Sequence, residues 1–135
     1  MADIYKSGGI LLRDRKLLVS RSKGKDVFVA PGGKVMNGET AKQALIRELT
    51  EEFRIKTEEN NLEYFGTFFA KAAGNEENQL KMDVYIVKSW KGEIVPDSEI
   101  EEIKWISFLQ SKDMKIGSIF EHEVIPRLKD ENLID

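Results

Sequence analysis

Residues 32–55 read GGKVMNGETAKQALIRELTEEFRI, and this stretch decides the fold. Thr40 is followed three residues later by Gln43, which is the spacing of a capping box, in which each side chain bonds the other residue's backbone N–H. We therefore expect a helix with Thr40 as its N-cap that continues to Arg54. Apolar residues recur at every fourth position and predict the buried stripe of this helix: Leu45, Leu49 and Phe53.

Three glutamates occupy a neighbouring stripe of the same helix: Glu48, Glu51 and Glu52. Carboxylates three or four residues apart on a helix repel each other by roughly several tenths of a kcal/mol per pair. The simpler interpretation is a solvated surface. Glu39 and the paired Gly32 and Gly33 favour another, because a glycine backbone can approach a cation or a phosphate closely. A hard divalent cation prefers oxygen ligands and would offset the repulsion.

The composition indicates a folded domain and excludes several classes of site. Of 135 residues, 41% are hydrophobic and 33% are charged, and the length suits a single domain over residues 1–135. The absence of cysteine excludes disulfides, thiolate nucleophiles and cysteine zinc sites, and it favours a reducing, cytoplasmic location. The net charge of -3 argues against a nucleic-acid partner, and no targeting or membrane segment is visible.

The rest of the chain has mainly the pattern of strands. Two β-like runs on either side of the turn DRK, IYKSGGILLR and KLLVSRS, predict an early antiparallel pair. Three later runs, NLEYFGTFFAKA, NQLKMDVYIVKSW and IEEIKWISF, are expected to join this pair in a mixed sheet. A second helix is predicted in IGSIFEHEVIPRLKDENLI, where Pro126 would kink or divide it. Helices packed against a central sheet give an α+β fold.

The fixed positions of the first helix and of the turn before it resemble the box of the Nudix hydrolases. The matching residues are Gly33, then after five residues Glu39, then after seven more Arg47, Glu48, Leu49, a free position, Glu51 and Glu52, with Ile55 at the final aliphatic position. Average residue usage puts a chance match at about one in a million for a chain of this length. The remainder of the chain looks like a MutT-type Nudix domain. The resemblance implies an α/β/α sandwich around a central mixed sheet.

Arg54 departs from the family pattern, which has glycine at this position. That glycine ends the helix in a left-handed conformation. An arginine there either adopts this conformation at a cost of roughly 1 kcal/mol or lets the helix continue toward residues 56–61. Because residue 54 is not an expected metal ligand, arginine in place of glycine affects the expected end of the helix more than the chemistry.

The resemblance also implies a metal site built on the box. It implies Mg²⁺, with Mn²⁺ as the alternative, bound by three carboxylates and one backbone carbonyl: Glu48, Glu51, Glu52 and Gly32. Arg47 is expected to support catalysis by holding the carboxylates in fixed directions, and Glu39 and Gly33 to shape the cofactor site.

In this family a general base or further ligand often comes from a loop outside the box. Glu99 is the first candidate, because it precedes Trp105 by six residues, close to the spacing in MutT-like proteins. Glu102 is the competitor, and Glu76 or Glu77 is a third option. For each of these glutamates the simpler interpretation is a solvated loop charge.

Phe28 and Val29, which precede the glycine turn, are candidates for the wall of a substrate-binding site. An aromatic residue in a β-run is more often part of the core, so the core is the competing prediction for Phe28.

The predicted function is divalent-metal-dependent pyrophosphohydrolysis of compounds that contain a nucleoside diphosphate. The favoured substrates are nucleoside triphosphates, oxidised ones included, which would give the monophosphate and pyrophosphate. The alternatives are hydrolysis of ADP-ribose or of dinucleoside polyphosphates, and a module that binds nucleotides without catalysis. The expected partner is a small-molecule nucleotide, with no nucleic acid and no membrane, and the protein is expected to be a monomer or a homodimer.

Overall fold

The computed structural model describes residues 4–72, 75–97 and 99–135, with the side chains of residues 72 and 75–78 outside this description. The strands are β1 (Ile4–Ile10), β2 (Leu12–Arg13), β3 (Lys16–Ser22), β4 (Gly32–Lys34), β5 (Leu62–Ala72), β6 (Asn75–Val87) and β7 (Ile100–Ile106). The helices are α1 (Ala41–Phe53), α2 (Phe108–Ser111) and α3 (Ile125–Asp130), with a 3-10 turn at Glu59–Asn61 and a π-helical segment at Phe120–Val124.

The strands form two sheets. The first has the order β4-β1-β6-β5, in which β1 runs parallel to β6 and the other pairs are antiparallel. The second is antiparallel, with the order β2-β3-β7. The expected mixed sheet is therefore present, but the first hairpin and β7 lie in the second sheet, because β1 is already paired on both edges.

The predicted early hairpin is short. Only Leu12 and Arg13, which form β2, pair with β3. The turn that joins β2 to β3 consists of Asp14 and Arg15, whose φ angles are 51° and 61°. Two successive left-handed residues give a turn whose twist matches that of the flanking strands. The predicted antiparallel pair is therefore present only over Leu12–Arg13, and the rest of the first run, β1, pairs with β4 and β6 instead.

Helix α1 begins where local chemistry predicts. The Gln43 N–H donates to Thr40 Oγ1 at 3.1 Å, and the Thr40 N–H donates to Gln43 Oε1 at 2.9 Å. The helix ends at Phe53, and Arg54 adopts the left-handed conformation with φ 57° and ψ 30°, which is the first of the two predicted outcomes. Its apolar stripe is fully buried and consists of Leu45, Leu49 and Phe53, as predicted, with Ala41 and Ala44 beside it.

Two apolar clusters form the core. The α1 stripe packs in one cluster with Leu11, Leu18 and Val87. The second cluster contains Phe120, Val124 and Leu128 from the C-terminal helical region, together with residues of β1, β3 and β6. The fold is α+β with a mixed sheet, as predicted.

Pro126 divides the C-terminal helix. It lies in the first turn of α3, directly after the π-helical segment, where its missing N–H interrupts the regular hydrogen-bond pattern least. Within the described ranges, no helix is long and apolar enough to cross a bilayer.

Candidate active site

The glycine turn brings backbone against both a strand and a helix. Gly32 has φ 139°, and a Cβ at this position would lie 2.2 Å from the carbonyl oxygen of Ser7. A Cβ on Gly33 would lie 2.8 Å from Glu48 Oε1. Both contacts are shorter than a Cβ tolerates, so only glycine lets β4 pair with β1 while the Glu48 carboxylate lies over the turn.

Arg47 connects the turn to the glutamate stripe. Its Nε donates to Glu39 Oε2 at 2.8 Å, and its Nη1 donates to Glu48 Oε1 at 2.8 Å and to Glu51 Oε1 at 3.1 Å. Its Nη2 donates to the Lys34 carbonyl oxygen at 3.0 Å. The hydrogen bond to Arg47 is the main cause of the lowered pKa of Glu39, and the same bond raises the pKa of Arg47. A planar guanidinium suits this role because it donates in several fixed directions at once.

Glu52 is the carboxylate with the strongest tendency to hold a proton in this cluster. Burial raises its pKa to about 8, with further contributions from a hydrogen bond with Glu48 and from the charges of Glu48, Glu51 and Glu99. Burial and neighbouring negative charges both disfavour the ionised form. At neutral pH a proton therefore occupies a position where a cation would equally balance the charge.

The carboxylates of the box lie together, but they do not surround one point. In the part of the chain that the structure describes, no three acidic or histidine side chains form a group that could hold a metal ion as they stand. Glu48 and Glu51 are turned toward Arg47, and Glu52 shares a hydrogen bond with Glu48. The donors fit a hard divalent cation, because all are carboxylate oxygens, and binding of the ion would displace the proton that the raised pKa of Glu52 favours.

Of the candidates outside the box, Glu99 follows a segment that is bound to the end of α1. The Asp97 N–H donates to the Glu52 carbonyl oxygen at 2.9 Å, and the Ile100 N–H donates to the Asp97 carbonyl oxygen at 3.1 Å, so the backbone around Glu99 lies near the C-terminal end of the glutamate stripe. Glu102 lies in β7 opposite Arg21, which binds it at 3.2 Å, and Lys104 lies 3.8 Å away. The side chains of Glu76 and Glu77 are outside the described residues.

A cavity of about 170 Å³ lies beside the glycine turn. Its wall is mostly apolar and includes Val29, Met82 and Phe120, with Lys6 and both glycines of the turn. The prediction for Val29 agrees with this position. Met82 and Phe120 were not singled out from the sequence, because an apolar residue in a β- or helix-pattern gives no signal that distinguishes a cavity wall from the core.

The assignment of Phe28 to a substrate wall needs correction. Its side chain is 8% exposed and packs in the core cluster, outside the cavity lining. Arg21 and Lys104 lie over its ring, at 6.0 and 5.4 Å from the centroid. Phe28 and Val29 each form an isolated β-bridge in extended backbone, where neighbouring side chains point to opposite faces, so that of the two only Val29 lines the cavity.

Comparison with known proteins agrees with this geometry. A model of the NUDIX domain matches residues 6–128. The uncharacterized Nudix hydrolase YvcI of Bacillus subtilis (strain 168) is 30% identical over 110 residues, which cover 80% of this chain and 70% of that protein. The fold and the glutamate helix define a Nudix domain, and the chain belongs to the Nudix family.

Solved structures show the same fold. The ORF135 protein of E. coli superimposes with a TM-score of 0.73 and 25% identity over 96% of this chain and 88% of that one. The MutT protein of Methanosarcina mazei Go1 gives a TM-score of 0.76 with 20% identity over 96% and 94% of the two chains. The chain is thus a member of the Nudix hydrolase family whose fold is similar to that of MutT proteins. Enzymes of this family act on phosphoanhydride bonds of small nucleotide substrates and generally use divalent metal ions.

Proposed function

We propose that the protein is a Mg²⁺-dependent pyrophosphohydrolase of nucleoside triphosphates that releases the monophosphate and pyrophosphate. The observation that carries the proposal is the arrangement of Glu48, Glu51 and Glu52 beside the glycine turn. Three carboxylates share one helix face, and their surroundings raise the pKa of one of them, Glu52; a divalent cation would relieve the repulsion that this arrangement causes.

The residues of the box are proposed as the ligands. Glu48, Glu51 and Glu52 would bind Mg²⁺ or Mn²⁺ through carboxylate oxygens, with the Gly32 carbonyl as a backbone ligand. When bound, the cation neutralises phosphate oxygens and makes a bound water more acidic. Glu39 and Arg47 support the site, because their hydrogen bonds fix the start of α1 against β4.

Glu99 is proposed as the general base. Its side chain is exposed, and two residues before it the Asp97 N–H donates to the Glu52 carbonyl oxygen at 2.9 Å, which supports a role for its carboxylate in activating the water molecule that attacks the substrate. Glu102 is a weaker candidate, because Arg21 and Lys104 hold its carboxylate within the second sheet.

The cavity beside the glycine turn is proposed to take the base of the nucleotide. Its volume of about 170 Å³ is below the roughly 300 Å³ at which pockets for drug-sized ligands begin, so it suits a single ring system, with the rest of the substrate outside it. Its apolar wall of Val29, Met82 and Phe120 suits a planar ring. This favours triphosphates, oxidised ones included, over ADP-ribose and dinucleoside polyphosphates. We also propose a cytoplasmic location, as the cysteine-free composition suggests.

A substrate panel tests the proposal. The protein is incubated with Mg²⁺, and separately with Mn²⁺, and with unmodified deoxynucleoside triphosphates, an oxidised guanine triphosphate, ADP-ribose or a diadenosine polyphosphate. We expect pyrophosphate and monophosphate from a triphosphate, with Glu51→Gln and Glu52→Gln nearly inactive. Preferred turnover of ADP-ribose would contradict the triphosphate assignment. Binding of nucleotides without turnover of any compound would support a binding module instead.

A second pair of variants tests the general base. Glu99→Gln should lower kcat by about 10²-fold, which is within the usual range for loss of a general base, and should leave the melting temperature unchanged. Glu102→Gln is the matched control and should retain kcat. The assignment is wrong if the two variants exchange these results.

A further inference from the structure

The end of α1 is closed by a loop from a distant part of the chain. We call residues 94–97 the capping loop. The Val95 N–H donates to the Phe53 carbonyl oxygen at 3.1 Å, and the Asp97 N–H donates to the Glu52 carbonyl oxygen at 2.9 Å. The last carbonyls of a helix have no partner within the helix, so these two bonds satisfy groups that would otherwise need water.

Arg54 holds this loop with its side chain. Its Nε donates to Asp97 Oδ2 at 2.7 Å, across 43 positions of sequence. The left-handed backbone of Arg54 turns the chain out of the helix. The residue at which the chain leaves α1 thus also binds the capping loop.

The capping loop leads directly to Glu99. The Ile100 N–H donates to the Asp97 carbonyl oxygen at 3.1 Å, which brings the start of β7 back against the loop. The Glu99 carbonyl oxygen accepts a hydrogen bond from the Lys23 N–H at 2.8 Å. The backbone on either side of Glu99 is therefore held by Lys23, the residue after β3, and by the capping loop, while the Glu99 side chain stays exposed.

Stability alone does not account for an arginine at this position. A left-handed conformation is unfavourable for any residue with a Cβ, whereas glycine adopts it freely. The ion pair lies between side chains that are 59% and 35% exposed, and exposed pairs stabilise a fold only slightly. The free-energy cost of the left-handed backbone and the stabilisation by the ion pair are similar in size. The function of the arginine is therefore to hold another part of the structure in place.

We propose that Arg54 is a positioning residue, which through Asp97 holds the capping loop against the end of α1 and so keeps Glu99 beside the glutamate cluster. The proposal rests on the proposed role of Glu99 as general base. Arg54 itself touches no reacting group in this scheme.

The first test does not depend on activity. Arg54→Gly removes the side chain and the unfavourable backbone conformation together, so the variant should fold with an unchanged or higher melting temperature. Amide hydrogen exchange at Val95 and Asp97 should nevertheless become faster by about tenfold, because the capping loop opens more often. Unchanged exchange at both amides would overturn the proposal.

Arg15→Gly is a matched control for this test. Arg15 also has a left-handed backbone, with φ 61°, and its Nε binds Asp135 at 2.7 Å. It lies in the turn between β2 and β3, away from α1. This variant should leave exchange at Val95 and Asp97, and kcat, unchanged, which would show that the effect of Arg54→Gly is specific to the capping loop.

The second test measures activity on the best substrate of the panel. Arg54→Gly should lower kcat by about tenfold with little change in KM, because a misplaced base slows the chemical step and leaves binding intact. Asp97→Asn should give a similar loss, and the double variant should be no slower than either single variant. Arg54→Lys, which keeps the charge, should restore part of kcat.

The Glu99→Gln background separates positioning from a general structural effect. If Arg54 acts through Glu99, then Arg54→Gly should cause no further loss of kcat in a protein that already lacks the base. Multiplicative losses would overturn the proposal. If the unmodified protein hydrolyses no compound of the panel, the proposed function fails, while the exchange measurement still decides whether Arg54 holds the loop.

Discussion

Glu52→Gln should make the metal-free protein more stable at alkaline pH. Glutamine imitates the protonated carboxyl group and can still donate a hydrogen bond to Glu48, but it cannot ionise. Burial raises the pKa of Glu52 to about 8, against an ordinary value of 4.5. Between these values the folded protein holds a proton that the unfolded chain has released. The stabilisation is therefore fully present below pH 4.5 and is lost as the pH rises through 8.

The size of the effect follows from the same shift. A difference of one pKa unit corresponds to about 1.4 kcal/mol, so the whole shift would give roughly 5 kcal/mol for a fully buried group. Glu52 is only partly buried, and solvent screening reduces this to on the order of 2 kcal/mol. The unfolding free energy of Glu52→Gln, relative to the unmodified protein, should rise by that amount between about pH 5 and about pH 8.5.

Urea unfolding in the presence of a chelator, repeated across this pH range, measures the difference. Glu63→Gln is the control, because Glu63 is an exposed carboxylate on β5 and its removal should give a flat difference. Added Mg²⁺ should stabilise the unmodified protein at high pH more than it stabilises Glu52→Gln. The reasoning would be refuted if Glu52→Gln and the unmodified protein lost stability in parallel as the pH rises.

Three further substitutions test the site and its supports. Gly33→Ala would place a Cβ 2.8 Å from Glu48 Oε1, so kcat should fall by about tenfold or more while the protein still folds; full activity would show that the Glu48 position is not critical. Ser7 is 2% exposed, and its Oγ has no hydrogen-bond partner among the described residues. Ser7→Ala should therefore raise the unfolding free energy by about 1 kcal/mol in a denaturant titration. A lower unfolding free energy would show that the Ser7 hydroxyl is hydrogen-bonded. Arg47→Lys removes the planar guanidinium and its fixed donor directions, so the melting temperature should fall in the presence of a chelator and recover in part with Mg²⁺. A decrease in melting temperature that is the same with and without Mg²⁺ would contradict the role of Arg47 as a counter-charge.

The parts of the site that sequence could predict are those set by local geometry. The capping box of Thr40 and Gln43 depends only on residues three apart, and it is present at the predicted position. The glutamate stripe follows from the helical period in the same way. Gly33 was expected to allow close approach, and the structure shows that the approaching group is the Glu48 carboxylate.

Other parts depended on contacts between distant segments. The choice between Glu99 and Glu102 rests on strand pairing, since β3 places Arg21 opposite Glu102 and leaves Glu99 outside the sheet. The conformation of Arg54 was open because its partner, Asp97, lies 43 positions away. Phe28 and Val29 were candidates together because both precede the glycine turn, and only their packing separates them, with Phe28 in the core cluster and Val29 in the cavity lining.

Arg47 also bears on how the enzyme is assembled in a cell. By binding Glu39, Glu48 and Glu51 at once, it gives the acidic cluster a counter-ion that belongs to the polypeptide. We therefore expect folding and metal loading to be separate events, unlike in domains whose ligands repel each other until an ion binds. The folded state should then persist when free Mg²⁺ is low, and activity should depend on the ion supply without prior unfolding.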